Sequence, residues 1–342
     1  MYSYDMDVLE PRITVKKLVP IFILLGIIFV ILVVAGIVLY TRVFAAPEGN
    51  TEEERFIVSL ADTNEEAIER LKREGFIKST WGFLFALKQK RGDGNIAPGG
   101  YKISKSMSAW KVAGVLSQDP YLVWIVIPEG LRKEEIAEIL QEKLGWSSEE
   151  REKWITTETA TSYEYTEGVY FPDTYLIPKD EAPRDSAKRL QTHFEEVFAL
   201  YAKEALKQNI RWYTVIRLAS IVQREAAGQN DMPVIAGVLW NRLLKGVRLE
   251  VDATIQYARG KRDAGWWAPI RPEDKAIDSP YNTYKHTGLP PHPIANPGTK
   301  AIEAVLFPAS TECLYYLHDS SGQIHCAQTF EEHKKNIDTY LR

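Results

Sequence analysis

Hydrophobic and polar positions divide the chain into segments of different period. Residues 18–40, LVPIFILLGIIFVILVVAGIVLY, form an apolar run without one charged residue, about 35 Å long as a helix. That predicts a membrane-spanning helix, since the run is too long for a signal-peptide core and too uniformly apolar for a core helix. Only a faint cleavage-like pattern follows, at Ala45-Ala46. Residues 41–54 are polar, contain proline, and read as a linker. A strand-like run from Arg55 then leads into an amphipathic helix with Ala67, Ile68 and Leu71 inward. A second helix around TWGFLFALKQ and a short strand, YKIS, complete a strand–helix–helix–strand module. The segment IVIPEGLRKEEIAEILQEKLGW partly repeats the first: Ile57/Ile125, Val58/Val126, Ile68/Ile136 and Leu71/Ile139 align at one constant offset. A duplicated strand–helix unit over 55–150 is the expectation. Such a module serves as a spacer or binds carbohydrate, and the pattern favours neither.

From about residue 151 the character changes. EGVYFPDTYLIP is rich in aromatic and turn residues, and amphipathic helices are predicted over 190–210 and 212–227. A further helix places Met232, Ile235, Ala236, Leu239 and Leu243 on one face and stops at Gly246. Long polar, proline-rich loops and a closing hairpin follow. The pattern predicts a mainly helical α+β domain over 151–342, with loops of the kind that hold binding sites. In the helix over 212–227 the buried stripe runs through Val215, Leu218, Ala219 and Val222, and its next places are Glu225 and Ala226. A carboxylate on an apolar face loses hydration, which costs stability and raises its pKa.

Charge and composition narrow the function classes. The chain of 342 residues is 45% hydrophobic and 26% charged, with net charge −4, and it shows no concentrated basic face, so no nucleic-acid partner is expected. Arg12, Lys16 and Lys17 precede the apolar run closely, while only Arg42 follows it closely. The positive-inside rule therefore leaves 1–17 as a cytoplasmic tail and exports everything after residue 41, giving a single-pass protein of the cell membrane. Cys313 and Cys326 flank LYYLHDSSGQIH, which reads as a hairpin. Export permits a disulfide, yet the turn sets the two cysteines out of direct register, so the pairing stays open.

No cofactor is called for: there is no nucleophile elbow, His-Glu-x-x-His helix or phosphate-binding glycine loop. Ser108 to Lys111 matches the Ser-x-x-Lys of penicillin-binding acyl transferases, but KHTG at 285–288 interrupts the Lys-Thr-Gly that chemistry requires. His325 and His333 are too isolated for a metal site and read as surface or capping residues. Glu225 has two readings. It is a structural acid that caps or pairs with Arg242 or Arg248, or a general acid that stays protonated and donates to a glycosidic oxygen. The aromatics that follow, among them Trp266 and Trp267, suit stacking on sugars and equally suit a core.

LASIVQREA, VIAGVLWNRL, LEVDATIQYA, SPYNTYKHTGLPPHPIANPG and YYLHDSSGQIHCAQTFEEHKKNIDTYL stand in an order typical of one family, preceded by IPEG and EGVYFPDTY. The chain resembles the membrane-anchored endolytic murein transglycosylases, the YceG-like family, from about residue 53 to its end. The resemblance implies a membrane helix, a LysM-like module and a catalytic domain. It also implies cleavage of peptidoglycan glycan strands between N-acetylmuramic acid and N-acetylglucosamine, leaving 1,6-anhydro ends, and association with the cell-wall synthesis machinery. The family's acid is the second Glu of Ile-Val-Glu-Lys-Glu; here the run is Ile221-Val222-Gln223-Arg224-Glu225, with the first acid replaced. By resemblance, Asn241, Asp252, Thr254, Tyr257, Ser279, Tyr281, Asn282, Thr283 and Tyr284 line the cleft. Local alternatives stand beside that: Asn241 and Asp252 as capping residues, Pro290-Pro291 as a loop stiffener. Asp252-Ala253-Thr254 replaces a common Asp-Pro-Thr, which loosens the backbone, and His292 replaces a common Gly. Glu250, Asp252 and Asp278 leave hydrolysis of the same bond open, since a hydrolase needs a second carboxylate. A non-catalytic wall-binding protein is the third reading, against which the retained Glu225 speaks.

Overall fold

The computed structural model describes residues 15–160 and 166–341. The tail 1–14, with Arg12, lies outside the described residues, as do the side chains of Lys16 and Lys17. Contacts gather the chain into two compact units, Met1–Leu122 and Val123–Arg342.

In the first unit, α1 (Val15–Val43) extends the apolar run by three residues at each end. Its stretch Pro20–Val43 is long and apolar enough to cross a membrane and is not buried against protein. β1 (Glu54–Val58), α2 (Asn64–Arg73), α3 (Thr80–Lys90), β2 (Gly99–Ile103) and α4 (Ala109–Leu116) follow. The strands pair antiparallel with Phe56 opposite Tyr101. Thr63 and Glu66 form a capping box at the start of α2, which satisfies end groups the helix leaves unpaired. Ser108 caps α4, its side chain accepting from the Lys111 amide; this is the work of the Ser in the Ser-x-x-Lys pattern. Phe56, Leu71, Phe83, Leu87, Tyr101 and Ile103 make the core. The stretch read as a linker is bonded to this module: Glu48 donates to the Lys105 carbonyl at 3.0 Å, and Ser104 to that of Thr51 at 2.9 Å.

β3 (Leu122–Val126) crosses the boundary. The second unit continues with α5 (Lys133–Leu144), α6 (Ser148–Lys153), β4 (Thr174–Pro178), α7 (Pro183–Lys207), α8 (Trp212–Glu225), α9 (Met232–Leu244), α10 (Asp252–Arg259) and α11 (Thr299–Leu306). A hairpin of β5 (Tyr315–His318) and β6 (Ile324–Ala327) precedes α12 (Phe330–Tyr340). Ile125, Ile136, Leu140 and Leu144 share one core with α7, α8, α9 and α11, so residues 123–150 pack with the second unit rather than with the module preceding them. The strand–helix order does occur twice, but the strand faces differ. Val58 is buried where Val126 is exposed, and Ile57 is exposed where Ile125 is buried, as a one-residue change of face requires. The whole predicted stripe of α8 (Val215, Leu218, Ala219, Val222) is fully buried, at about 2 kcal/mol for each large side chain.

Cys313 and Cys326 are disulfide-bonded, with Cα atoms 5.8 Å apart. The chain before β5 folds back on Ala327, which accepts from the Leu314 N–H at 2.9 Å. That fold-back overcomes the offset read from the turn.

Candidate active site

Glu225 is the last residue of α8, where the Ala226 N–H still bonds the Val222 carbonyl. The buried stripe anchors the helix, and its final turn projects Glu225 into a cleft of about 330 Å3. Asp252, Tyr284, Tyr315, Tyr316, Phe330 and His333 are among the residues around it. The Tyr316 hydroxyl donates to Glu225 Oε2 at 2.7 Å. Burial among protein atoms pushes the Glu225 carboxyl above its ordinary 4.5. Negative Asp252 adds to this, while the Tyr316 hydroxyl, the Ala253 amide and His318 pull the other way. Arg242 does not neutralise it: that guanidinium reaches Glu250 at 2.5 Å, and Arg248 is exposed. A carboxyl so placed holds its proton at pH values where ordinary carboxyls have lost theirs.

Several of the motif segments meet behind this helix end. Gln223, in the place of the first acid, accepts from the Gly298 amide at the start of α11, at 3.1 Å. Ser220 accepts from the Ile294 amide at 3.0 Å, and Arg217 donates to the Pro290 carbonyl at 3.1 Å. Gly298 itself permits close approach: a Cβ there would overlap the Glu129 carboxylate of IPEG. Deeper, Asn296 donates to Glu167 at 2.6 Å and accepts from the Tyr170 amide at 2.8 Å. Glu167 also accepts from the first amide of α5. Fully buried, with Glu134 nearby, its carboxyl is pushed up to about 8.

Just after Glu225, the buried Asp231 accepts from the amides of Ala227 at 2.9 Å and Gly228 at 3.2 Å. It also bonds His318 Nε2 at 2.6 Å. Because Tyr316 and His318 lie two apart on β5, they share a strand face. One strand thus holds both the carboxyl and the chain leaving it.

The residues expected around the acid occupy different places. Asp252 and Tyr284 line the Glu225 cleft, bonded to each other at 2.5 Å; Asp252 is the first residue of α10, whose cap is Val251. Thr254, Asn282 and Thr283 are buried and act as scaffold. Thr254 and Thr283 hydroxyls lie 2.9 Å apart, Thr283 accepts from the Val251 amide, and Asn282 donates to the carbonyls of Lys275 and Ile277. Ser279 accepts from the Tyr281 amide in a turn. Tyr257 and Tyr281 rest on each other, centroids 4.8 Å apart, with the Arg132 guanidinium 4.1 Å from the Tyr257 ring. Asn241 pins the carbonyls of Thr311 and Cys313 beside a separate, mostly apolar groove. Of the other carboxylates noted, Glu250 joins the cleft and Asp278 is not among its lining residues.

Tyr315, Tyr316, Phe330 and His333 were missed as site residues. Tyr315 stacks on His333 with centroids 5.3 Å apart; His325, by contrast, stacks on Tyr340. Their only signal was membership of the C-terminal motif. In a larger hollow beside β4 and α7, Arg189 is paired with Glu181 and His193 bonds Asp173.

Fold and site together define a class: a chain with, among its described residues, one helix of membrane-spanning length, and a folded unit that keeps a desolvated carboxyl in a tyrosine-lined cleft. The chain belongs to the YceG-like family, whose model matches residues 56–339. It is similar to a Bacillus subtilis (strain 168) protein named endolytic murein transglycosylase, 31% identical over 293 residues, or 79% of this chain and 80% of that one. A Streptococcus pneumoniae (strain ATCC BAA-255 / R6) protein of the same name is 26% identical over 307 residues, 79% of this chain and 55% of its own. The chain therefore spans about half the length of that relative. A crystal structure of a yceG-like protein from Listeria monocytogenes matches with TM-score 0.56 at 27% identity, covering 84% of this chain and 99% of that one.

Proposed function

We propose that the chain is an endolytic lytic transglycosylase of peptidoglycan, with Glu225 as its catalytic acid and then base. The observation that carries the reading is the raised, tyrosine-bonded carboxyl of Glu225 in an open cleft, in a family with relatives named for this activity. Protonated Glu225 donates to the oxygen bridging N-acetylmuramic acid and N-acetylglucosamine as that bond breaks through an oxocarbenium-like state. The resulting carboxylate accepts the proton of the C6 hydroxyl as its oxygen closes on C1, leaving a 1,6-anhydro end. One carboxyl suffices because the nucleophile belongs to the substrate. Tyr316 holds the acid in place and steadies the carboxylate it becomes.

In this reading the α1 anchor lies in the cell membrane, with the tail inside and the chain after residue 41 outside. Within the first unit, β1 to α4 serve as a LysM-like module, and the second unit is the catalytic domain, on nascent strands beside the synthesis machinery. Hydrolysis of the same bond is the second reading, favoured by Asp252 and Glu250 in the same cleft. Mass spectrometry of peptidoglycan digested by the full chain in detergent decides between them. Products lighter by one water, absent with Glu225→Gln, support the transglycosylase; reducing ends support a muramidase. No products from strands that an active relative digests would overturn both.

A further inference from the structure

The helix α3 is apolar on two faces. Phe83, Ala86 and Leu87 are buried in the core of the first unit, but Trp81 and Phe85, on another face, are 66% and 43% exposed. A second apolar face on a helix calls for cover of its own. The described residues cover only one side of this one.

The uncovered side continues the surface of α1. Gly82 of α3 touches Val43, where a Cβ would overlap the valine, and Lys78 donates to the Thr41 carbonyl at 3.3 Å. Just beyond α1, the Phe44 carbonyl accepts from the Ala109 amide at 2.9 Å. The Phe44 ring then gathers a cluster: Tyr40 at 5.5 Å, Trp110 at 5.6 Å, Phe85 at 6.3 Å and Trp81 at 6.4 Å. Trp81 and Phe85 stack on each other. The module is thus fixed to the end of the membrane-length helix by bonds and ring contacts, with exposed aromatics where that helix stops. Arg42, Lys78 and Lys88 are exposed nearby in sequence.

We propose that the first unit rests on the lipid surface through Trp81 and Phe85, an aromatic seat that continues the lipid-facing surface of α1. An indole ring favours the headgroup level, where its apolar body and polar N–H edge are both accommodated, and a phenyl ring beside it adds apolar surface at the acyl boundary. Exposed Lys and Arg beside them meet lipid phosphates. The seat fixes the height and tilt of the module above the bilayer, which a free linker would not do.

The inference rests on α1 spanning the membrane, and the test separates the two. The full chain is reconstituted at one molecule per nanodisc, in lipid with brominated or ordinary acyl chains. Retention of the chain by the discs tests the anchor alone. The emission of Trp81, taken as the difference between wild type and Trp81→Phe, is expected to lose most of its intensity in brominated lipid. In a second measurement a nitroxide at residue 85 (Phe85→Cys) is expected to be reached by lipid-soluble oxygen more readily than by a water-soluble relaxant. Equal Trp81 emission in both lipids, with residue 85 open to the aqueous relaxant, overturns the seat. So does a Trp81 environment that changes only when several chains share a disc, which marks a contact between copies.

Discussion

Burial of Glu225 favours its neutral form more than exposure to water would, and its pH behaviour follows. A carboxyl whose folded pKa is raised contributes least to stability once pH has passed its ordinary 4.5, because the folded state must then give up a proton it holds more tightly than the unfolded chain does. Glu225→Gln is therefore expected to melt higher than wild type at pH 7, with the two curves converging below the ordinary carboxylate range. Activity is expected to fall by at least about 100-fold in the same variant. Calorimetry and turnover on peptidoglycan check both. Tyr316→Phe removes a hydrogen bond that favours the carboxylate. The alkaline limb of the pH–rate profile is expected to move upward, with the maximal rate about 10-fold lower as the base step loses support. Buried Glu167 obeys the same rule, its carboxyl pushed up to about 8. Its contribution falls as pH rises from its ordinary value, by about 3 kcal/mol at pH 7. Glu167→Gln is expected to flatten the pH dependence of Tm.

Among the elements, α8 and the β5–β6 hairpin make the site, and they differ in how far sequence could find them. The α8 stripe is a local 3.6-residue pattern, so the one acid at its end could be read directly. Glu225 was therefore legible before any fold was known. Tyr316 meets Glu225 only because the hairpin folds across the helix end, a contact no local period encodes. Asp231 and His318 were invisible for the same reason. Resemblance puts Thr254, Asn282 and Thr283 in the cleft lining, but they are buried, and polar side chains serve buried hydrogen-bond networks as readily as a cleft. The turn alone does not fix the pairing of Cys313 with Cys326, because Leu314 folds back on Ala327. Opening the bridge between Cys313 and Cys326 is expected to cost about 3 kcal/mol, seen as a lower Tm under reductant. His318→Ala is expected to slow turnover about 10-fold with little change in KM, because it frees the chain leaving Glu225 rather than a sugar contact.

On the scale of the molecule, the helix of membrane-spanning length was plain from the sequence, since an uncharged apolar run of this length stands out from any amphipathic pattern. The boundary between units was not. Residues 123–150 repeat the opening strand and helix in pattern, but Ile125, Ile136 and Leu140 are buried in the second unit's core, and a hydrophobic period does not say which core it serves. The central claim concerns what closes on C1 after Glu225 has given its proton. Digestion of peptidoglycan by the full chain in heavy-oxygen water tests it most directly. The account predicts anhydro ends that carry none of the solvent oxygen. Reducing ends labelled with heavy oxygen would contradict it, because water rather than the C6 hydroxyl would then have closed the reaction.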